Sequence, residues 1–398
     1  MKLGENIIAT SDIALFFNIQ NAAAVGIDAP TLRRADAIRT RVRTLSGFQK
    51  EAVVTSARSG QAWRLVSDEG AYLNGHDAAP CPLAFLSVGM IASYLNEIQA
   101  LAKMRNIDIR KLRLVQDNYY SMQGSMLKRT MVGGALPVEL QVSIDCDLDD
   151  AALNQFLMDA VHASPLNGLM RGHLTSLFTL ARNGVELSPD KAAPLGGAML
   201  PDPAGLFGDL APAAGDLTLV KPLGKTAKKA VQGGTQAAAS SLADQQDRRL
   251  NVGAVATLRD DGLTEIVQLL YSPHGTSFRF LSEEAPESGA AARAPDAVSY
   301  ISAGIGFCFM TQFGRFASML DLDLPEYRIV QDTHFSRGGA SGGTGKAGAA
   351  DAVETHVFLD TGESDEVARE MLDISEKTCF LHAFCRTDLK VKLKVVRP

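Results

Sequence analysis

The sequence predicts an α+β protein made of two similar units, and three observations carry that expectation: an internal repeat, a long apolar helix in each copy, and alternating strands around it. Sliding the chain along itself by 215 residues places Arg113-Leu114-Val115-Gln116-Asp117 on Arg328-Ile329-Val330-Gln331-Asp332. From Pro80/Pro295 to Ser121/Ser336 the register holds without a gap, and Ser87/Ser302, Gly89/Gly304, Met104/Met319 and Asp108/Asp323 coincide. Upstream, Trp63 to Glu69 falls on Phe278 to Glu284, and downstream Asp145 falls on Asp360. A period this long is a whole domain, since solenoid units run to roughly 20 to 50 residues. The expected organisation is a first unit over 1–184, a linker over 185–247 and a second unit over 248–398.

The first element of each unit to emerge is the helix. Leu83 to Met104 is apolar with little interruption before Asn96, and Ala297 to Leu320 is apolar nearly all round. A helix without a polar face must be enclosed by protein. Gly304 and Gly306 inside it each cost about 1 kcal/mol of helix propensity, so their presence predicts a second backbone close by. Strand starts follow at Leu112 to Val115 and Tyr327 to Val330. Val138 to Ile144 and Glu354 to Leu359 then alternate as half-buried strands. Asp149-Asp150 and Ser364-Asp365-Glu366 open a second helix in each unit. The final Leu389 to Val396 alternates as a strand with one wet face. Strands, long helix, strands, second helix and last strand give helices against one face of a mostly antiparallel sheet. Two homologous units on one chain are expected to pair with each other as an intramolecular pseudo-dimer.

Between the units, the Ala/Gly/Pro-rich stretch from Val185 to Asp247 reads as a tether, with a short helix near Ala227 to Ala239. The segment from Arg337 to Ala350 reads as a loop between strands, equivalent to Met122 to Leu136, and is a candidate flap over a site.

Composition narrows the function. The chain has 398 residues, 46% of them hydrophobic, enough for two ordinary cores. A net charge of −6 without a basic stripe argues against a nucleic-acid partner. Asn18, Gln20 and Asn21 cut the first apolar stretch, so no membrane-spanning helix is expected. The amino terminus does not read as a secretion signal, which makes the cytoplasm the expected compartment. Five cysteines at uneven spacing do not form a structural disulfide framework. Two of them fall on serines of the other unit at the repeat offset: Cys308 on Ser93 and Cys379 on Ser164. Cys81, Cys146 and Cys385 read as core residues and His382 as a surface or hydrogen-bonding one. Cys379, His382 and Cys385 lack the spacing of a metal site, and neither Gly224-Lys225-Thr226 nor Gly345-Lys346 completes a phosphate loop.

Phe278 to Pro286, Pro295-Asp296 leading through Ser302-Ala303-Gly304 to Cys308, and Glu376-Lys377-Thr378-Cys379 together resemble the OsmC/Ohr family of thiol-dependent peroxidases. The likeness covers the second unit and, through the repeat, the first as a degenerate copy. It implies intertwined halves with active sites at their shared seam. It also implies that Cys308 attacks an organic hydroperoxide and Cys379 resolves the product, with a dithiol as reductant and no cofactor or metal. A thiolate needs a cation nearby, and the family's arginine corresponds to Arg259 in Thr257 to Gly262. The family's acidic residue corresponds to Asp296, which lies two residues further from its cysteine than in the family pattern; Val298 holds the matching spacing. Two other readings stay open: a cysteine enzyme acting on a non-peroxide electrophile, and a non-catalytic binding or scaffold protein. Either form allows a further homo-oligomer.

Overall fold

A computed structural model describes residues 4–11, 13–208, 210–215, 217–227, 240–271, 274–284 and 291–397. The first half of the chain runs α1 (Ile7–Thr10), β1 (Phe17–Asn18), β2 (Asp36–Ser46), β3 (Gln49–Ser56), β4 (Ala62–Ser67), α2 (Pro82–Met104), β5 (Lys111–Ser125), β6 (Val132–Asp145), α3 (Asp150–Ala163), α4 (Pro165–Arg171) and β7 (Leu177–Arg182). Then come β8 (Val185–Leu187) and β9 (Val220–Lys225), and the second half repeats the order. It runs β10 (Gln245–Leu258), β11 (Thr264–Leu270), β12 (Thr276–Ser282), α5 (Ala297–Leu320), β13 (Glu326–Phe335), β14 (Glu354–Asp360), α6 (Asp365–Thr378), α7 (Phe380–Arg386) and β15 (Val391–Val396).

The strands form two sheets, and each sheet is assembled from both halves. One has the order β1-β4-β3-β2-β13-β14-β7-β8 and the other β15-β6-β5-β10-β11-β12-β9. The exchange happens where β13 pairs antiparallel with β2, Arg328 opposite Arg43 through Phe335 opposite Asp36. Its mirror is β10 on β5, Gln245 opposite Ser125 through Thr257 opposite Arg113. All ladders between named strands are antiparallel except β14 with β7 and β15 with β6. Neither half can therefore complete a sheet without the other, which is the expected pseudo-dimer in a tightly interwoven form.

The two long helices lie back to back between the sheets. α2 packs on β5, β10 and β11, while α5 packs on β2, β3 and β13. Both are buried along most of their length, as their missing polar faces require. Pro82 opens α2 at its first turn, where its absent N–H costs nothing. Asp296 caps α5 by accepting from the Ser299 amide at 2.8 Å.

Residues shared by the repeats turn out to fix equivalent joints. Gln116 donates to the Ser87 carbonyl and Gln331 to the Ser302 carbonyl, tying each central strand to the helix of its own half. Ser67 donates to the Pro80 carbonyl and Ser282 to the Pro295 carbonyl, setting the entry to each helix. These are buried polar contacts, costly to leave unmade, which explains why the two copies retain the same side chains there.

The inter-repeat segment is more ordered than its composition implies. β8 and β9 add edge strands to the two sheets, and the short helical turn Pro203–Phe207 buries Phe207 against the first sheet. β10 begins at Gln245, inside the stretch expected to be linker. The helix expected near Ala227 to Ala239 lies almost wholly outside the described residues. The Arg337 to Ala350 loop and its repeat-one equivalent also differ. Met122 to Leu136 continues β5 into β6 around a short turn, whereas the second copy is a packed loop fixed by Gly339 N–H to Ala163 O and Gly348 N–H to His162 O. Among the described residues no helix is long and apolar enough to cross a membrane.

Candidate functional site

Cys308 sits midway along α5 and Cys379 at the break between α6 and α7, where it caps the end of one helix and the start of the next. Its extended backbone (φ −70°, ψ 119°) turns the chain so that its sulfur faces α5. The two sulfurs are 3.5 Å apart, and Cys379 Sγ also accepts from the His382 amide. Both cysteines are buried, Cys308 to within 2% exposure. A disulfide bond of about 2.05 Å needs only a small further approach.

The repeat reproduces this geometry without sulfur. Ser164 breaks α3 from α4 with the same extended backbone, and Ser93 Oγ meets Ser164 Oγ at 2.6 Å. Because the positions superpose, introducing Ser93→Cys together with Ser164→Cys should create a second oxidisable pair. Diamide treatment is expected to yield a crosslinked peptide spanning 93 and 164; substituted positions that stay reduced while the protein remains folded would contradict the equivalence.

A cavity of about 20 Å³ opens beside Cys308, lined by Glu69, Tyr72, Arg248, Thr311, Arg315 and Phe380 among others. Both halves build it, Glu69 and Tyr72 coming from the segment after β4. Glu69 accepts from Thr311 Oγ1 at 2.8 Å and from the Tyr72 hydroxyl at 2.6 Å. Burial raises its carboxyl above the usual range, against the opposing pull of Lys50. Lys50 is itself fully buried, lowered by that burial, and donates to the Phe48 carbonyl. Burial and the adjacent Cys379 push the Cys308 thiol well above its ordinary value, with the Leu381 amide pulling the other way. Cys308 is thus a protonated thiol at neutral pH in this closed state.

A second cavity, of about 110 Å³, lies beside Ser93 and is lined by offset equivalents: Asn96 for Thr311, Glu97 for Gln312, Pro165 for Phe380 and Glu284 for Glu69. The glycine-rich loop closes over this cavity, not over the thiols. Ser336, Arg337, Gly338 and Ser341 line it, and Glu97 holds the loop through Ala340 N and the Ser341 hydroxyl. Arg58 there bridges Asp36 and Glu284. Burial and the nearby Asp296 raise the Asp36 carboxyl to about 6.

The structure brings Cys308 and Cys379 together and leaves the two charged candidates elsewhere. Arg259 sits at the β10–β11 turn, paired with Asp261 and Glu265 and 39% exposed, and it does not line the thiol cavity. Hairpin turns are solvated, and a short-range carboxylate two residues on captures the guanidinium. Asp296 lies twelve residues before Cys308 on one helix, about 18 Å along its axis. It caps that helix and meets Arg58 at 3.3 Å on the serine side. Glu69, Arg248 and Arg315 are the charged groups that line the thiol cavity, with Lys50 close behind. The signal for Glu69 was its alignment with Glu284, and Arg248 falls on Arg33 in the same way; Arg315 had none, since its offset partner is Ala100.

His382 also departs from expectation. Its ring is 1% exposed, 4.6 Å from the Phe309 ring and 5.5 Å from Phe178, and neither ring nitrogen has a partner. Burial, with Arg386 nearby, lowers it to about 3. The unfolded chain then binds a proton near pH 6.5 that the folded one refuses, so stability falls as pH drops from about 6.5 towards 3. By pH 4 the loss from this group is about 3 kcal/mol. His382→Phe should recover most of it, seen as a raised urea midpoint at pH 4 and little change at pH 8. A difference from wild type that ignores pH would refute the assignment. Cys81, Cys146 and Cys385 are buried as expected.

The description "OsmC-like protein" fits residues 289–394 in a comparison with protein-family models. No curated protein matches. Among solved structures, an OsmC-like protein from Mycoplasma pneumoniae is 15% identical, covering 36% of this chain and 94% of its own, with a TM-score of 0.26. An OsmC-like hydroperoxide resistance protein from Jannaschia sp. CCS1 is 18% identical, covering 33% of this chain and 81% of its own, with a TM-score of 0.19. The stretch that is similar to the OsmC-like family model includes both site cysteines.

Proposed function

We propose that the chain is a thiol-dependent peroxidase reducing organic hydroperoxides through Cys308 and Cys379. The observation that carries this reading is the pair of sulfurs 3.5 Å apart in a seam built by both halves. In the reaction, the Cys308 thiolate attacks the outer peroxide oxygen, the O–O bond breaks, and the alcohol leaves with a proton while Cys308 becomes a sulfenic acid. The Cys379 thiolate then displaces water from that sulfur to form a disulfide, and an external dithiol returns both sulfurs to thiols. Glu69, the carboxylate lining the cavity, and Arg248 take the charged roles in this scheme in place of Asp296 and Arg259. Because the resting thiol is held protonated, ionisation of Cys308 accompanies entry of substrate and cation rearrangement in the cavity.

Adding a hydroperoxide to reduced protein should consume two thiols per peroxide and leave the peptides of Cys308 and Cys379 crosslinked. Thiols that survive a several-fold excess of hydroperoxide would end this reading. The displaced Arg259 and Asp296 favour, as the second reading, a cysteine enzyme whose target is a different electrophile. Alkylation of Cys308 without peroxide turnover would point there.

A further inference from the structure

Two buried guanidinium groups line the thiol cavity, and among the described residues neither forms an ion pair. Arg315 is 1% exposed; its Nε donates to the Ser241 carbonyl at 2.9 Å, and its other nitrogens reach only the thioether sulfurs of Met131 at 3.1 Å and Met122 at 3.6 Å. Thioethers are weak acceptors. Arg248 is 4% exposed, its guanidinium makes no hydrogen bond among the described residues, and its Nε is wholly shielded from solvent. Neither forms an ion pair among the described residues, although buried Arg39, Arg41, Arg64 and Arg328 all do. Burial lowers Arg315 to about 9 and lowers Arg248 too, which leaves Arg315 charged at neutral pH.

The one carboxylate in the cavity cannot balance them. Glu69 already takes its hydrogen bonds from Thr311 and Tyr72, and one carboxyl group faces two guanidinium groups. Burying an uncompensated ion is costly, so two such groups beside one void make a site suited to an anion. The arrangement belongs to the thiol side alone. At the repeat offset Arg315 becomes Ala100, and Arg248 becomes Arg33, which is paired with Glu354 near the surface. The serine cavity carries Arg58 and Arg337 together with Asp36, Glu97 and Glu284, and its Arg58 is paired with Asp36 and Glu284.

We infer that the thiol cavity is an oxyanion site in which Arg248 and Arg315 hold the carboxylate of a small substrate beside Cys308. Guanidinium forks match the two oxygens of a carboxylate, where a halide would use one direction only. The void of about 20 Å³ holds roughly one water, so the anionic group must be compact and a little widening must accompany its entry. This deepens the peroxidase reading by giving its substrate a charge. The binding itself does not depend on peroxide chemistry.

Formate is the smallest carboxylate probe. At constant ionic strength, replacing chloride by formate should raise the thermal midpoint of the reduced wild-type protein by several degrees, since a ligand bound only to the folded state stabilises it by mass action. Arg248→Gln should lose that response. Glu69→Gln, which removes the competing carboxylate, should enlarge it, and this variant decides the matter if Arg248→Gln does not fold. A wild-type midpoint indifferent to formate, or the same response in wild type and Arg248→Gln, overturns the site; so does an unchanged response in Glu69→Gln. Thiol loss on peroxide addition is read separately, so a protein that binds formate and spares its thiols would refute the peroxidase alone.

Discussion

Cys308→Ala should abolish peroxide consumption, while Cys379→Ala should allow one turnover per chain and then stop. The asymmetry follows from the two environments. Cys308 lines the cavity, so an entering peroxide meets that sulfur; Cys379 is fully buried behind it and does not line the cavity. Without Cys308 no sulfur is in reach, and residual consumption should fall at least about a thousand-fold, to the level of an unassisted buried thiol. Without Cys379 the first step still occurs, and its sulfenic acid has no partner within 3.5 Å to condense with. Dimedone should label Cys308 in that variant and not in wild type. Equal loss in both variants with no sulfenic acid trapped would mean that the sulfurs act in some other order, and full activity in Cys308→Ala would remove the thiol mechanism.

Much of this architecture was legible because its signals were local or repeated. The long helices announce themselves by lacking a polar face, and the second helices by Asp149 and Ser364, which cap them by accepting from Ala152 and Val367. The sulfur pair was legible because Ser93 and Ser164 mark the same two positions in a copy that carries no sulfur there. The intertwining of the halves was implied by the resemblance alone, because antiparallel pairing depends on alternation and register that β5 offers equally to either partner. The charged groups of the site failed for a related reason. Glu69 reaches Cys308 from the other half of the chain across more than two hundred residues, and such proximity is set by packing, not by spacing. His382 misled because a histidine without hydrogen bonds is costly to bury, and here two phenylalanine rings replace the expected partners. The tether misled by composition: glycine and alanine do not exclude an edge strand such as β9, whose pairing with β12 needs only backbone groups.

The crossing of the two central helices predicts the largest effect on stability. Gly89 and Gly304 are equivalent under the repeat, and each lies against the backbone of the opposite helix. A methyl group on Gly89 would stand 2.6 Å from the Ala297 carbonyl oxygen and 2.9 Å from the Ile301 nitrogen, and one on Gly304 would stand 2.8 Å from the Leu86 nitrogen. Backbone cannot rotate away as a side chain can, so the helices must separate. Gly306, two residues further along that helix, faces side chains of Val42, Thr40 and Ile329, which can yield. Alanine at 89 or 304 gains up to about 1 kcal/mol of helix propensity and loses more through overpacking between two sheets that pin the helices from outside. The expected net cost is about 3 kcal/mol for each of Gly89→Ala and Gly304→Ala, read as a lowered urea midpoint at unchanged slope. Gly196→Ala and Gly205→Ala, with nothing within 4 Å of the added carbon, should change the midpoint by no more than about 0.5 kcal/mol. Because α5 also carries Cys308, parting the helices should loosen the sulfur seam as well: Gly304→Ala is expected to expose Cys308 to iodoacetamide at urea concentrations that leave the wild-type thiol protected. If the alanine variants at 89 and 304 match the two controls, the close approach of the helices does not exist in solution.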